Sequence, residues 1–237
     1  MDSGTRHSLI SEIDHRLTSI RPTIPDDVTL IAISKKQSSE AIRAAYALGL
    51  RHFGESRIQE AILKQEQLED LSDITWHFIG HLQSNKAAKA LERFHWIHSV
   101  HSLKLAKRLN QLLGQAREAG QMSPVPKLCL QVKMVPDKNK SGWDITDLAN
   151  DLPTLANLSH LDIDGLMTIP PLGQSDAAIL EIFTQAQTLA TKIQAQAFPN
   201  ISMRQLSMGM SGDYPLAIQA GATMVRIGRT IFGDRSP

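Results

Sequence analysis

From residue 28 to residue 227, short apolar or β-branched runs alternate with longer helical stretches, and this pattern is the strongest constraint on the fold. Val28–Ser34 (VTLIAIS) predicts a buried strand and Glu40–Leu50 (EAIRAAYALGL) a helix ending near Gly49. The spacing predicts further strands over Arg51–Glu55, Thr75–Gly80, Trp96–Val100, Lys127–Met134, Leu161–Ile169, Ser202–Met208 and Thr223–Ile227. Helices are expected over Arg57–Leu68, Asn85–Phe94, Leu103–Ala119, Ala177–Gln196 and Tyr214–Ala220. Eight strands, nearly all separated by a helix, imply parallel pairing through right-handed crossovers. They close most economically into a (β/α)8 TIM barrel, with a doubly wound open sheet as the alternative. The chain of 237 residues suits one such domain spanning 1–237. Only ten residues follow Ile227, so the amphipathic segment Ser8–Ile20 is expected to pack on the barrel in place of a full last helix.

Composition removes several classes of function. Twenty-five basic against 24 acidic residues leave a net charge of +1, without the broad basic footprint of a nucleic-acid or anionic-membrane binder. No signal peptide and no membrane-spanning run of about 18 apolar residues is legible. A single cysteine, Cys129 in Lys127–Gln131, rules out an intrachain disulfide and reads as a buried packing thiol. Together these features predict a cytoplasmic protein.

In a barrel, chemistry collects at the C-terminal ends of the strands. The seventh end reads Leu206-Ser-Met-Gly-Met-Ser-Gly-Asp213 and the eighth Val225-Arg-Ile-Gly-Arg229. Ser207, Gly209, Ser211 and Gly212 lie just before a helix, where glycines admit close backbone approach and a helix start offers N–H donors to an anion. Asp213 as a helix cap is the plainer reading. Arg226 and Gly228 add a fixed charge and another glycine to a phosphate site; Arg229 is the alternative arginine, because parity does not say which points inward. The first strand ends at Lys35 and Lys36, and a partly desolvated lysine at a barrel mouth can form a Schiff base with a carbonyl. Strand parity does not choose between the two, and solvated loop lysines are the bland alternative.

Other polar groups carry less. His95 and His98 fall on opposite faces of one strand, and His95 and His101 are about 20 Å apart, so no metal set is expected. His77 reads as a hydrogen-bonded core or mouth residue. Trp76, Phe78, Trp96 and Trp143 read as packing residues, and Lys138–Gly142 as a basic turn that is either solvated or touches an anion at the mouth.

Eight segments in order resemble one family. They are Ala32-Ile-Ser-Lys35, Phe53-Gly-Glu55 with Gln59-Glu60, Trp76–Gly80, Leu82–Lys86, Lys140-Ser-Gly142, Gly165–Met167 with Ile169-Pro170, Leu206–Ser211, and Val225–Gly228 with Ile231–Gly233. The chain is similar to the YggS/PROSC type of pyridoxal 5′-phosphate (PLP) homeostasis protein. The resemblance implies a barrel related to fold-type III PLP enzymes such as alanine racemase, lacking their second domain. It implies PLP as an internal aldimine on Lys35. Ser207, Gly209 and Ser211, with the backbone near Gly228 and Arg229, would surround the phosphate. Arg226 would contact either the ring nitrogen or the phosphate, and His81, Asn85 and Met167 would line the mouth. Ser56 stands where the family usually has an asparagine near the cofactor, and Lys36 sits beside the attachment site as a relay candidate.

The implied role is non-catalytic: PLP homeostasis and amino- and keto-acid balance, with PLP-dependent apoenzymes or amino acids as recipients and a monomer as the expected state. A fold-type III enzyme such as an amino-acid racemase is the alternative, and a barrel enzyme for a phosphorylated metabolite a third. A racemase needs two placed acid–base groups. Here the tyrosines are only Tyr46, in the first barrel helix, and Tyr214, near the phosphate loop.

Overall fold

A computed structural model of the chain describes residues 3–120, 124–137 and 139–233. In chain order, the helix α1 (Ser3–Ile20) leads into β1 (Thr29–Ile33), α2 (Ser39–Ala47), β2 (His52–Glu55), α3 (Ile58–Gln67), β3 (Thr75–Phe78), α4 (Ala87–Arg93), β4 (Trp96–Val100) and α5 (Leu103–Glu118). Then come β5 (Lys127–Lys133), the two-residue β6 (Trp143–Asp144), α6 (Ile145–Ala156), β7 (Asp162–Met167), α7 (Asp176–Gln194), β8 (Ile201–Met210), α8 (Tyr214–Gln219), β9 (Met224–Ile227) and α9 (Arg229–Phe232). All strand pairings are parallel. β1 to β5 run side by side, β5 pairs with β7, and β8 and β9 return to β1, which closes an eight-stranded barrel with β6 appended to β5.

The strand assignments from sequence hold to within a few residues, and Trp96–Val100 holds as read. The expected list contains no counterpart of α6. Its sequence, ITDLANDLPTLA, carries Asp, Asn and the helix-breaking Pro153, which mask a helical stripe of buried Leu148, Leu152 and Leu155. The Asn157 side chain donates to the Pro153 carbonyl at 2.9 Å, satisfying an acceptor near the helix end.

Two apolar layers separate cleanly. The larger one lies between sheet and helices and includes Ala32, Phe53, Ile97, Leu128, Ile163 and Val225. The smaller consists of Ile31, Ile33 and Met224 with Ile79 and Trp96 packed against them, all on strands or strand ends, and it fills the inside of the barrel. On β1 the odd-numbered residues therefore point inward. Gly54 belongs to that inner surface, since a Cβ there would lie 2.6 Å from Ile33 Cδ1.

Outside the barrel, α1 packs against α2 and α9, burying Ile13 and Leu17 completely. Arg21, just beyond α1, donates to the Leu48 carbonyl at the end of α2. No described helix is long and apolar enough to cross a membrane. Truncating a fully buried leucine removes transfer energy and leaves a cavity, so Leu17→Ala is expected to cost about 2–5 kcal/mol. Urea denaturation checks this, and a loss well under 1 kcal/mol would mean α1 is not part of the cooperative fold.

Candidate functional site at the barrel mouth

The turn after β1 is held from beneath by a buried charged cluster. Lys64 reaches out of α3 and donates to Glu55 Oε1 at 2.7 Å, Glu60 Oε1 at 2.7 Å and the Ser34 carbonyl at 2.8 Å. Ser34 Oγ donates to the same Glu55 oxygen at 2.7 Å, and the Lys36 backbone N–H donates to Glu60 Oε1 at 2.5 Å. Burial pushes the Glu55 carboxyl up, and hydrogen bonds from Lys64 and Ser34 pull against that shift. Lys35 is thus pinned on both sides by its neighbours' backbone. It is half-buried and continues the inward parity of Ile31 and Ile33, whereas Lys36 is exposed and sits at φ +64°.

Beside β1, Arg226 on the paired strand β9 is buried inside the barrel, 4% exposed. It donates to Ser207 Oγ at 2.6 Å and to the Thr168 carbonyl at 3.1 Å. Among the described residues no carboxylate comes within ion-pair distance of it. Burial lowers its guanidinium to about 10, with Asp213 at longer range opposing the shift. Arg229 is exposed on α9, so the inward arginine is Arg226.

Ser207 leads on to a row of histidines. His98 Nδ1 is 2.7 Å from Ser207 Oγ, His98 Nε2 is 2.9 Å from His77 Nδ1, and His77 Nε2 is 3.0 Å from His52 Nδ1. His77 and His98 are fully buried, while His52, at the start of β2, is half-buried. Burial holds His77 well below its usual range, with nearby His98 reinforcing the shift, and lowers His98 to about 3, with Arg226 adding to it. Each shared nitrogen pair holds a proton between two rings, so the lone pairs do not converge. Among the described residues no three His, Cys, Asp or Glu side chains form a metal set.

The remaining predicted residues separate into rim and core. Met167, at the end of β7, is buried and stands in register with Ser207. His81 and Asn85 lie exposed on the loop after β3, where His81 Nδ1 is 3.1 Å from Ser141 Oγ and its ring centroid is 4.4 Å from that of His101. Ser56 is half-buried at a polar recess shared with Arg57, Gln59, His81 and Lys86. Gly80 presses on it so closely that a Cβ would sit 2.1 Å from the Ser56 carbonyl oxygen. Ser211 and Gly228 are half-buried at the ends of β8 and β9.

The barrel agrees with the comparisons to known proteins. Residues 10–236 match the family described as alanine racemase, N-terminal domain. A pyridoxal phosphate homeostasis protein of Synechocystis is 49% identical over 92% of this chain and 96% of its own length. The chain belongs to the pyridoxal phosphate homeostasis protein family. A relative of that name in Escherichia coli is 34% identical over 95% of this chain and 98% of its own. The structure of PipY from Synechococcus elongatus with PLP bound superposes with a TM-score of 0.85 at 52% identity, covering 93% of this chain and all of PipY. An alanine racemase of Clostridium difficile, at 12% identity and a TM-score of 0.72 over 96% of this chain and 58% of its own, shares the barrel fold.

Ser207 is fully buried, and its hydroxyl oxygen accepts from Arg226. Gly209 is needed for local packing: it adopts φ +90°, and a Cβ there would lie 2.6 Å from Ala217 Cβ. Asp213 does not cap α8; its Oδ1 accepts from the Met210 N–H at 2.6 Å. The Tyr214 hydroxyl is 2.8 Å from Thr23 Oγ1, and its side chain belongs to the sheet–helix layer, which removes it as an acid or base at the mouth. Lys138 lies outside the described residues. Lys140, in the same basic turn, donates to the Ile169 carbonyl at 3.0 Å and also to that of Pro170, closing the β5 loop onto the β7 loop. Cys129 is buried, and burial pushes its thiol up.

Folding keeps protons off His77 and His98 that an unfolded chain takes up below about pH 6.5. Stability rises with pH wherever the unfolded state binds more protons, so this contribution is present above about pH 6.5 and is lost as pH falls toward the folded value of His98, about 3. Replacing His98 with Asn is expected to lower the slope of unfolding free energy against pH, between pH 6 and 4.5, by about 1.4 kcal/mol per unit. Urea titrations at several pH values measure it; an unchanged slope would show that His98 carries a proton in the folded protein.

Proposed function

We propose that this protein binds pyridoxal 5′-phosphate at the barrel mouth, with the ε-amine of Lys35 as its covalent attachment point, and acts as a PLP carrier or buffer without substantial catalysis of its own. The supporting observation is a pair of features on paired strands: a half-buried lysine just past β1, on the inward parity of Ile31 and Ile33, and a buried guanidinium on the adjacent β9 without a carboxylate partner among the described residues. A buried cation lacking an anion favours a ligand that brings negative charge or an electron-rich ring. The close relationship to PipY, solved with PLP bound, supports the same reading.

In this account Ser211 and the backbone near Gly209, Gly228 and Arg229 receive the phosphate, and Arg226 faces the ligand with Ser207 supporting it from behind. Met167 forms the apolar floor, and His81, Asn85 and Ser56 form the rim. When bound, PLP supplies an electron sink and an aldehyde for amines. Turnover of amino acids also requires positioned proton donors and acceptors. Tyr214 is committed to Thr23, and Tyr46 donates to Asp73 Oδ1 at 2.5 Å on the outer surface of the barrel. The exposed rim instead suits exchange of the cofactor with amines of amino acids or PLP-dependent apoenzymes, which links the protein to amino- and keto-acid balance.

The test is an ultraviolet–visible spectrum of the purified protein supplied with PLP, before and after borohydride, for wild type and Lys35→Ala. Wild type is expected to show a visible band that reduction abolishes, and Lys35→Ala to lack it. A wild-type protein that takes up no PLP would overturn the reading and return the mouth to a site for some other phosphorylated metabolite.

A further inference from the structure

The hydrogen-bond row behind Arg226 obeys a strict rule. His77 and His98 use both ring nitrogens and His52 its Nδ1, and consecutive rings share a proton between Nδ1 of one and Nε2 of the next. If all three rings are neutral, the choice made by one fixes the others: a proton on His77 Nε2 leaves His52 Nδ1 and His98 Nε2 no freedom. The three therefore occupy the same tautomer, all Nε2–H or all Nδ1–H. Deep burial keeps His77 and His98 neutral, and burial also lowers His52, with nearby His95 adding to that shift. Trp96, stacked at 6.0 Å on His77, offers no competing charge.

Ser207 selects between the two states. Its oxygen accepts from Arg226, which is always a donor. In the all-Nε2–H state the Ser207 hydroxyl donates to His98 Nδ1, and the buried His98 and His77 have both ring nitrogens paired. In the all-Nδ1–H state Ser207 would accept from both neighbours, and its buried O–H would have no acceptor among the described residues. Leaving a buried hydroxyl unsatisfied disfavours a state roughly 5- to 100-fold. The row thus has a direction, running from the Arg226 cation through Ser207, His98 and His77 to His52 near the base of the barrel.

We propose that His52, His77 and His98 are positioning residues that act as a single tautomer-locked relay, fixing the Ser207 hydroxyl and through it the orientation of Arg226 toward the barrel mouth. The relay couples the two ends: loss of the Ser207 hydroxyl alters the proton position on His52, three hydrogen bonds away and without contact between them. This rests on the geometry of Arg226 and not on the identity of the ligand at the mouth.

The experiment is a long-range ¹H–¹⁵N correlation spectrum of ¹⁵N-histidine-labelled full-length protein, without added ligand, with His52, His77 and His98 assigned through His52→Gln and His98→Asn. Wild type is expected to show all three as Nε2–H tautomers. In Ser207→Ala, which removes the donor to His98 Nδ1, the three are expected to shift together toward mixed tautomer populations. Ser207→Thr, which keeps the hydroxyl, serves as the second variant and is expected to retain the Nε2–H state. Packing alone would leave the His52 ring nitrogens unmoved. Unlike tautomers within the wild-type row, or a His52 signal unchanged by Ser207→Ala while His98 shifts, would overturn the relay. PLP uptake measured on the same samples separates the two ideas, because a locked row in a protein that binds no PLP refutes the functional reading and leaves the relay standing.

Discussion

An arginine in the middle of a barrel, without a carboxylate to neutralise it among the described residues, organises much of what surrounds it. Burial of an unpaired guanidinium is costly, and hydrogen-bond acceptors offset part of that cost. Arg226 finds them in Ser207 Oγ and the Thr168 carbonyl, and Ser207 in turn is engaged by His98. A polar line consequently crosses a space that most barrels fill with branched aliphatic side chains. The aliphatic residues that remain inside, Ile31, Ile33 and Met224, sit on the two strands that carry Lys35 and Arg226.

The other half of the site depends on a second buried charge, handled differently. Lys64 has two carboxylates and a carbonyl around it, and its ammonium ties α3 to the turn after β1. Removing one partner of such a cluster leaves the others buried and uncompensated, which is far more costly than losing a surface pair. The mouth therefore pairs a rigidly held lysine turn with a fixed cation, and the loops around them carry exposed polar groups.

Much of this was legible in the sequence. The alternation of strand and helix carries the barrel, because the period and order of apolar runs survive small errors at element ends. The strand-end motifs carry Lys35, Met167, Arg226 and Gly228 to the right end of the barrel. What was not legible depends on contacts between distant strands. His52, His77 and His98 sit on three different strands, and their alignment arises from barrel stagger; parity within one strand separates His95 from His98 but cannot join His98 to His77. Lys64 looked like one charge among many on an amphipathic helix. The place of Ser207 and Gly209 before a helix showed them near the strand end, but not that Ser207 would bond Arg226 or that Gly209 would pack on α8.

The central claim is that Lys35, and not its exposed neighbour Lys36, is the amine presented to the cofactor. Borohydride reduction of PLP-loaded wild-type protein, followed by proteolysis and peptide mass mapping, tests it directly. The account predicts a phosphopyridoxyl mass on Lys35 at close to one per chain, with Lys36 and Lys64 unmodified. Modification spread over Lys36 and other surface lysines, or concentrated on Lys36, would contradict it.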